Sequence, residues 1–139
     1  MGNNDIMRII PCPIPGFTET LQDGRPVYFV ELPERWRGEH EERRSATIAK
    51  LYGAGVTVEH WLRFAGSLAV VEDFNLPGVK KNSTDWDFSI IDLELMAWVN
   101  AVVWDDIMDC FNVKKKYYSQ SLNGTRAQTG TYPDLTATA

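Results

Sequence analysis

The sequence predicts an α+β protein, mostly helical. In it an N-terminal β-hairpin packs on a bundle of about three helices, and a flexible C-terminal tail follows. Three observations carry that expectation. The run from Ile90 to Phe111, IIDLELMAWVNAVVWDDIMDCF, is the longest amphipathic stretch in the chain. Two more segments with helical periodicity, 34–52 and 58–74, precede it and are separated by Gly53-Ala54-Gly55. Upstream of all three, Asp23-Gly24 lies between short β-forming runs, a two-residue hairpin signal. With 139 residues, a hydrophobic fraction of 44% and 5 Trp, 5 Tyr and 6 Phe, the chain has enough apolar mass for one packed domain. Three parts are expected: an extended lead over 1–16, a globular domain over 17–113, and a basic helix end with a flexible tail over 114–139.

The lead contains Pro11, Pro13 and Pro15 at alternate positions, which excludes a helix and favours an extended spacer. In the hairpin, Thr18–Leu21 forms the first strand and Val27–Glu31 the second. Pro26 sits at the start of the second strand, where a missing N–H is tolerated. The first helix, Glu34 to Tyr52, is highly charged and anchors only through its C-terminal half. It includes a Glu39–Arg43 pair at i,i+4, and Gly38 is a point of interruption. The second helix has Thr57 as its N-cap and runs from Val58 to Phe74. Trp61, Phe64, Ala65, Leu68, Val71 and Phe74 lie on its buried face. Gly66 in its interior either costs about 1 kcal/mol relative to Ala or marks close helix packing. A polar loop follows, pinned to the core by Trp86 and Phe88. The long helix opens with a capping-box-like Ser89 and Asp92. Its inward stripe is Ile91, Leu95, Trp98 and Val102, extended by Trp104, Met108 and Phe111. Ser119 to Ala139 is nearly free of apolar residues and is expected to be flexible.

The net charge of −5 makes nucleic acid a poor partner for the domain, although Lys114-Lys115-Lys116 with Tyr117 and Tyr118 forms a short basic patch. No apolar run of about 20 residues suggests a membrane span. No metal or cofactor is expected. His40 and His60 lie in different elements, His40 solvated and His60 beside the start of its helix, with no converging ligands. Cys12 and Cys110 suggest neither a disulfide framework nor a nucleophile, and Cys110 is expected to be a buried thiol. Asp105 and Asp109 belong to a solvated helix face. No acid–base or nucleophile pair can be assembled, so no enzyme is expected. The remaining candidates are partner-binding residues. Trp36 between Arg35 and Arg37 has the composition of an interface anchor, and Trp61 and Trp104 join it as candidates.

The segment Val70-Val71-Glu72-Asp73-Phe74-Asn75-Leu76-Pro77-Gly78, the polar loop, Trp86-Asp87-Phe88 and Leu93 to Val99 together resemble the tail assembly chaperones of long-tailed bacteriophages. The segment VYFVELPERW ahead of a charged helix is compatible with the same family, and the resemblance covers about 27–111. It implies a small helical protein of the infected host's cytoplasm. Such a protein binds the tape-measure protein, keeps it soluble, helps recruit tail-tube subunits and is usually absent from the finished particle. Self-association is compatible with it. The alternatives are a small structural virion protein of head, neck or tail, with arms ordered by neighbouring subunits, and a small binding module directed at a host protein.

Overall fold

The computed structural model describes residues 8–81, 83, 85–113, 115 and 117. The chain divides into two units, 1–105 and 106–139, and the first holds the sheet and most of the helical structure. The expected flexible tail over Ser119–Ala139 lies outside the described residues. In order along the chain come strand β1 (Arg8–Pro11), strand β2 (Phe29–Leu32), helix α1 (Gly38–Gly53), helix α2 (Glu59–Val70), strand β3 (Asp73–Asn75), a 3₁₀ turn (Phe88–Ile90) and helix α3 (Leu93–Cys110). This is the α+β class predicted; among the described residues three helices are named, and the β part is a three-stranded antiparallel sheet in the order β1-β2-β3.

The hairpin expectation is therefore corrected in one respect. The Asp23-Gly24 turn forms. Leu21 N–H donates to the Arg25 carbonyl at 2.8 Å, Gly24 N–H donates to the Leu21 carbonyl at 2.9 Å, and Gly24 takes a φ of 90°. That conformation suits a residue without a Cβ. The Asp23 carboxylate accepts from both the backbone and the guanidinium of Arg25, at 3.1 and 2.7 Å. Beyond the turn only a bridge between Thr20 and Pro26 forms, so Thr18–Leu21 is not a sheet strand. The partner of β2 comes instead from the proline-rich lead. Arg8 pairs with Leu32, Ile9 with Glu31, Ile10 with Val30 and Pro11 with Phe29. Prolines that exclude a helix are compatible with an edge strand, where an absent N–H need not break the ladder. Cys12 N–H donates to the Tyr28 carbonyl at 3.0 Å, extending the pairing by one step.

Helix α1 begins at Gly38, four residues after the expected start, because its cap is built from Arg37 and His40. The Arg37 N–H donates to His40 Nδ1 at 2.8 Å, and the His40 N–H donates to the Arg37 carbonyl at 3.0 Å. A histidine at the third helical position thus fills the place of the Glu or Gln in a capping box. His40 is only 5% exposed, which overturns its expected solvated position. The ion pair on α1 is Arg44 with Glu41 at 3.2 Å, rather than the anticipated Glu39–Arg43.

Helix α2 is preceded by Val58 in an extended conformation with no side-chain cap, so Thr57 does not cap it. It ends at Val70, short of the expected Phe74. The sheet captures the chain there: Glu72 N–H donates to the Glu31 carbonyl at 2.8 Å, and Phe74 pairs with Val30. Gly66 lies where α2 meets α1. A Cβ built at Gly66 would sit 3.0 Å from Arg44 Cγ and from Ile48 Cδ1. Of the two readings of Gly66, close helix packing is the one realised.

Asp92, not Ser89, caps α3, its Oδ1 accepting from Leu95 N–H at 2.9 Å. Asp87 instead holds the 3₁₀ turn, accepting from Ser89 N–H at 3.1 Å. The buried stripe of α3 is Leu95, Val99 and Val103, with Met96 beside it, and Ile91 is buried just ahead of the helix. Trp98 and Val102, expected in that stripe, are half-buried, and Trp104, Met108 and Phe111 are exposed. Phe64, Val30 and Val70 are fully enclosed, so one face of β2, helix α2 and helix α3 all contribute to the core.

Candidate partner-binding surfaces

The candidate anchors named from sequence each meet a different neighbour. Trp36 is half-buried and meets His40 edge-on, ring centroids 5.3 Å apart and planes at 78°. It is thus part of the support for the α1 cap, while its neighbours Arg35 and Arg37 are exposed. Trp61 stacks on Phe88 at 5.3 Å with the planes 9° apart, and Trp86 meets both Phe88 and Phe64 edge-on. The Trp86 indole N–H donates to the Lys80 carbonyl at 3.0 Å. This cluster pins the polar loop, as expected, and takes up much of the surface of Trp61. Trp104 is 45% exposed, and the Arg44 guanidinium lies 5.4 Å from its ring centroid. That distance is within cation–π range. Of the three tryptophans, Trp104 keeps the most surface toward solvent.

The apolar surface that the sequence reading missed is the second face of the sheet. Along β2 the side chains alternate, Val30 and Leu32 buried, Phe29 and Glu31 half-buried. The register places Ile9 and Asp73 beside Glu31, and Pro11 and Asn75 beside Phe29, all on the half-buried side. A groove of about 410 Å³ lies over this face, with Leu21, Pro26 and Val27 of the turn segment among its lining. Asn75 Nδ2 donates to the Val27 carbonyl at 2.6 Å, tying the turn segment to β3. The alternation in Phe29-Val30-Glu31-Leu32 was the available signal.

The charges at this groove are mostly matched internally. Arg25 pairs with Asp23, and Asp73 accepts from Lys81 Nζ at 2.6 Å. Glu31 faces Asp73 directly across the ladder. Its carboxyl is held above the usual Glu range, first by burial and then by the negative charges of Asp73 and Glu72. Asp23 is held below its usual range, chiefly by the backbone N–H of Arg25. Comparison with known protein families, characterised proteins and solved structures gives no match.

A second groove, of about 490 Å³, lies where α1, α2 and β3 meet and is lined by Arg43, Lys50, Glu72, Lys81 and Trp86 among others. Its charges are of both signs. Among the described residues no three His, Cys, Asp or Glu side chains are grouped to hold a metal ion, and no helix is long and apolar enough to cross a membrane. Cys12 is buried with its thiol pushed up, first by that burial. Cys110 is exposed, contrary to the expected buried thiol, with Sγ 3.8 Å from the Asp106 carbonyl oxygen. Asp105 and Asp109 are exposed on α3. In the second unit Met108, Phe111, Val113 and Tyr117 are exposed apolar side chains.

Proposed function

We propose that this chain is a tail assembly chaperone of a long-tailed bacteriophage. It binds the tape-measure protein in the host cytoplasm, keeps it soluble and helps recruit tail-tube subunits. Its work is binding rather than catalysis. The resemblance over 27–111 motivates the reading, and one structural observation supports it: the groove over the open sheet face, where Ile9 is 36% and Leu21 46% exposed. A protein that keeps an aggregation-prone helical client in solution needs an apolar surface of this kind on an acidic, charged exterior. Trp104 with the exposed Arg35 and Arg37 adds secondary contact points.

The test is co-expression of this chain with the tape-measure protein encoded near it. The client is expected in the soluble fraction only when this chain is present, and to co-purify with it. A client that is equally soluble alone, together with stoichiometric recovery of this chain in purified particles, would refute the reading. It would give the role instead to a small structural virion protein.

A further inference from the structure

We propose that the open face of the β1-β2-β3 sheet is the seat of a partner's amphipathic helix, one that carries lysine or arginine beside its apolar stripe. This inference rests on the partner-binding role above and adds the chemistry of the segment bound. Three observations carry it. First, the face is apolar where a buried contact would form: Ile9, Phe29, Leu21, Pro26 and Val27 line the groove. Second, its size suits a helix. Three strands spaced about 4.8 Å apart give a surface roughly 10–14 Å across, and a helix with its side chains is about 10–12 Å in diameter.

Third, the charges call for a cation. Of the three charged residues lining the groove, Arg25 is paired with Asp23 and Asp73 with Lys81. Glu31 is left half-buried on the central strand, flanked in register by Ile9 and facing the like charge of Asp73. Like charges directly opposite on a sheet are destabilising, and a carboxylate in a partly dry groove has lost solvation. An ammonium or guanidinium from a seated helix restores both the charge balance and a hydrogen-bond partner. The apolar stripe of the same helix covers Ile9, Phe29 and Leu21. An acidic helix would meet Glu31 with repulsion, so the site selects by charge as well as by apolar area.

The experiment uses the full chain and two fluorescein-labelled synthetic helical peptides with the same leucine stripe. One has lysines flanking the stripe and the other has glutamates. Fluorescence anisotropy is expected to show saturable binding of the lysine peptide and about tenfold or weaker binding of the glutamate peptide. Glu31→Lys is expected to reverse that preference. Leu21→Asp, at an exposed turn position, is expected to weaken the lysine peptide about tenfold while circular dichroism stays unchanged. Lysine-peptide binding that neither variant alters, or no binding at all, would overturn the proposal. So would a dimer in sedimentation that Leu21→Asp dissociates, because the face would then belong to a second copy of the chain.

Co-expression with the tape-measure protein separates the two levels of the argument. If the double variant Leu21→Asp/Glu31→Lys still solubilises the client, the chaperone role stands and this face is not its seat. If the peptides behave as expected but the wild-type chain leaves the client insoluble, the face stands and the chaperone role falls.

Discussion

Replacing Gly66 by alanine sets two effects of opposite sign against each other, and the contact between α1 and α2 decides which wins. In an open helix interior, Gly→Ala stabilises by about 1 kcal/mol, because alanine loses less conformational freedom on folding. At Gly66 the new Cβ would meet Arg44 Cγ at 3.0 Å, Ile48 Cδ1 at 3.0 Å and Ile48 Cγ1 at 3.1 Å. These separations are well inside ordinary carbon–carbon contact at roughly 3.5–4.0 Å, and overpacking of this kind costs about 1–3 kcal/mol. The net expectation for Gly66→Ala is a destabilisation of about 0–2 kcal/mol. Ile48→Ala removes two of the three nearest atoms, leaving the flexible Arg44 side chain to adjust. In that background Gly66→Ala is expected to recover the helix-propensity gain and stabilise by about 1 kcal/mol, a coupling of about 1–3 kcal/mol between the two positions. Gly38→Ala is the control, because a Cβ there meets nothing within 4 Å. Urea unfolding followed by circular dichroism measures all five chains, the unchanged one included, with the slope checked for constancy. If Gly66→Ala stabilises the otherwise unchanged chain by the full helix-propensity gain, the helices are not in close contact at Gly66 and the reasoning fails.

His40→Ala removes the acceptor for the Arg37 N–H together with the ring against Trp36, and is expected to cost about 1–3 kcal/mol in thermal or urea unfolding. His40→Gln, which can rebuild a capping box, should recover part of that loss, and equal losses for the two variants would deny the cap its role. Glu31 has a folded-state pKa above its unfolded value, so its ionised form opposes folding at neutral pH, and the penalty is relieved as pH falls through the raised folded value. Glu31→Gln should therefore raise the unfolding midpoint at pH 7, with the difference shrinking on acidification and gone below the ordinary Glu range; a pH-independent difference would refute the electrostatic cause. Cys110 is exposed while Cys12 is 3% exposed with a raised pKa. A thiol reagent should thus label one cysteine rapidly in the native chain and the second only in denaturant, and mass mapping that finds Cys12 labelled first would refute its burial.

How far the sequence disclosed the fold follows from the range of the interactions that define each element. Helix α3 was legible because its apolar periodicity is long and its cap lies within three residues of its start. Its inward face lies one position from the predicted stripe, at Val99 and Val103 instead of Trp98 and Val102, and a valine fits an enclosed site more readily than an indole. The Asp23-Gly24 turn was legible because turn chemistry is local. The pairing of β1 with β2 was not, because it joins Arg8 to Leu32 across the whole intervening segment and four strand residues carry little periodicity. The end of α2 was missed for the same reason: Phe74 continues a helical pattern in sequence, yet Val30 on a distant strand takes it as a ladder partner. His40 was read as solvated because an exposed, charged helix surrounds it in sequence. Its burial depends on Trp36 and on a backbone N–H, and neither registers as a pattern.

The candidate binding surface was harder to read than the fold because its components are polar and apolar residues on different strands. Ile9, Leu21, Phe29, Glu31 and Asp73 share no motif. They become one surface only when the lead adds its strand at one edge of β2, the chain after α2 adds β3 at the other, and the turn segment is tied to Asn75. The same operations explain why the surface stays open. The buried face of β2, carrying Val30 and Leu32, takes its place in the core with α2 and α3, and among the described residues the segment between β1 and β2 lines the groove over the opposite face through Leu21, Pro26 and Val27. A central strand that follows the common alternation would turn polar residues outward at both positions. Here one of the two outward positions is Phe29, and the other is a carboxylate in register with a second carboxylate. Neither choice favours folding of the isolated chain: Phe29 leaves apolar surface in water, and Glu31 adds repulsion. Both become favourable when an apolar surface bearing a cation covers the sheet, and that gives the pair a use that folding alone does not supply.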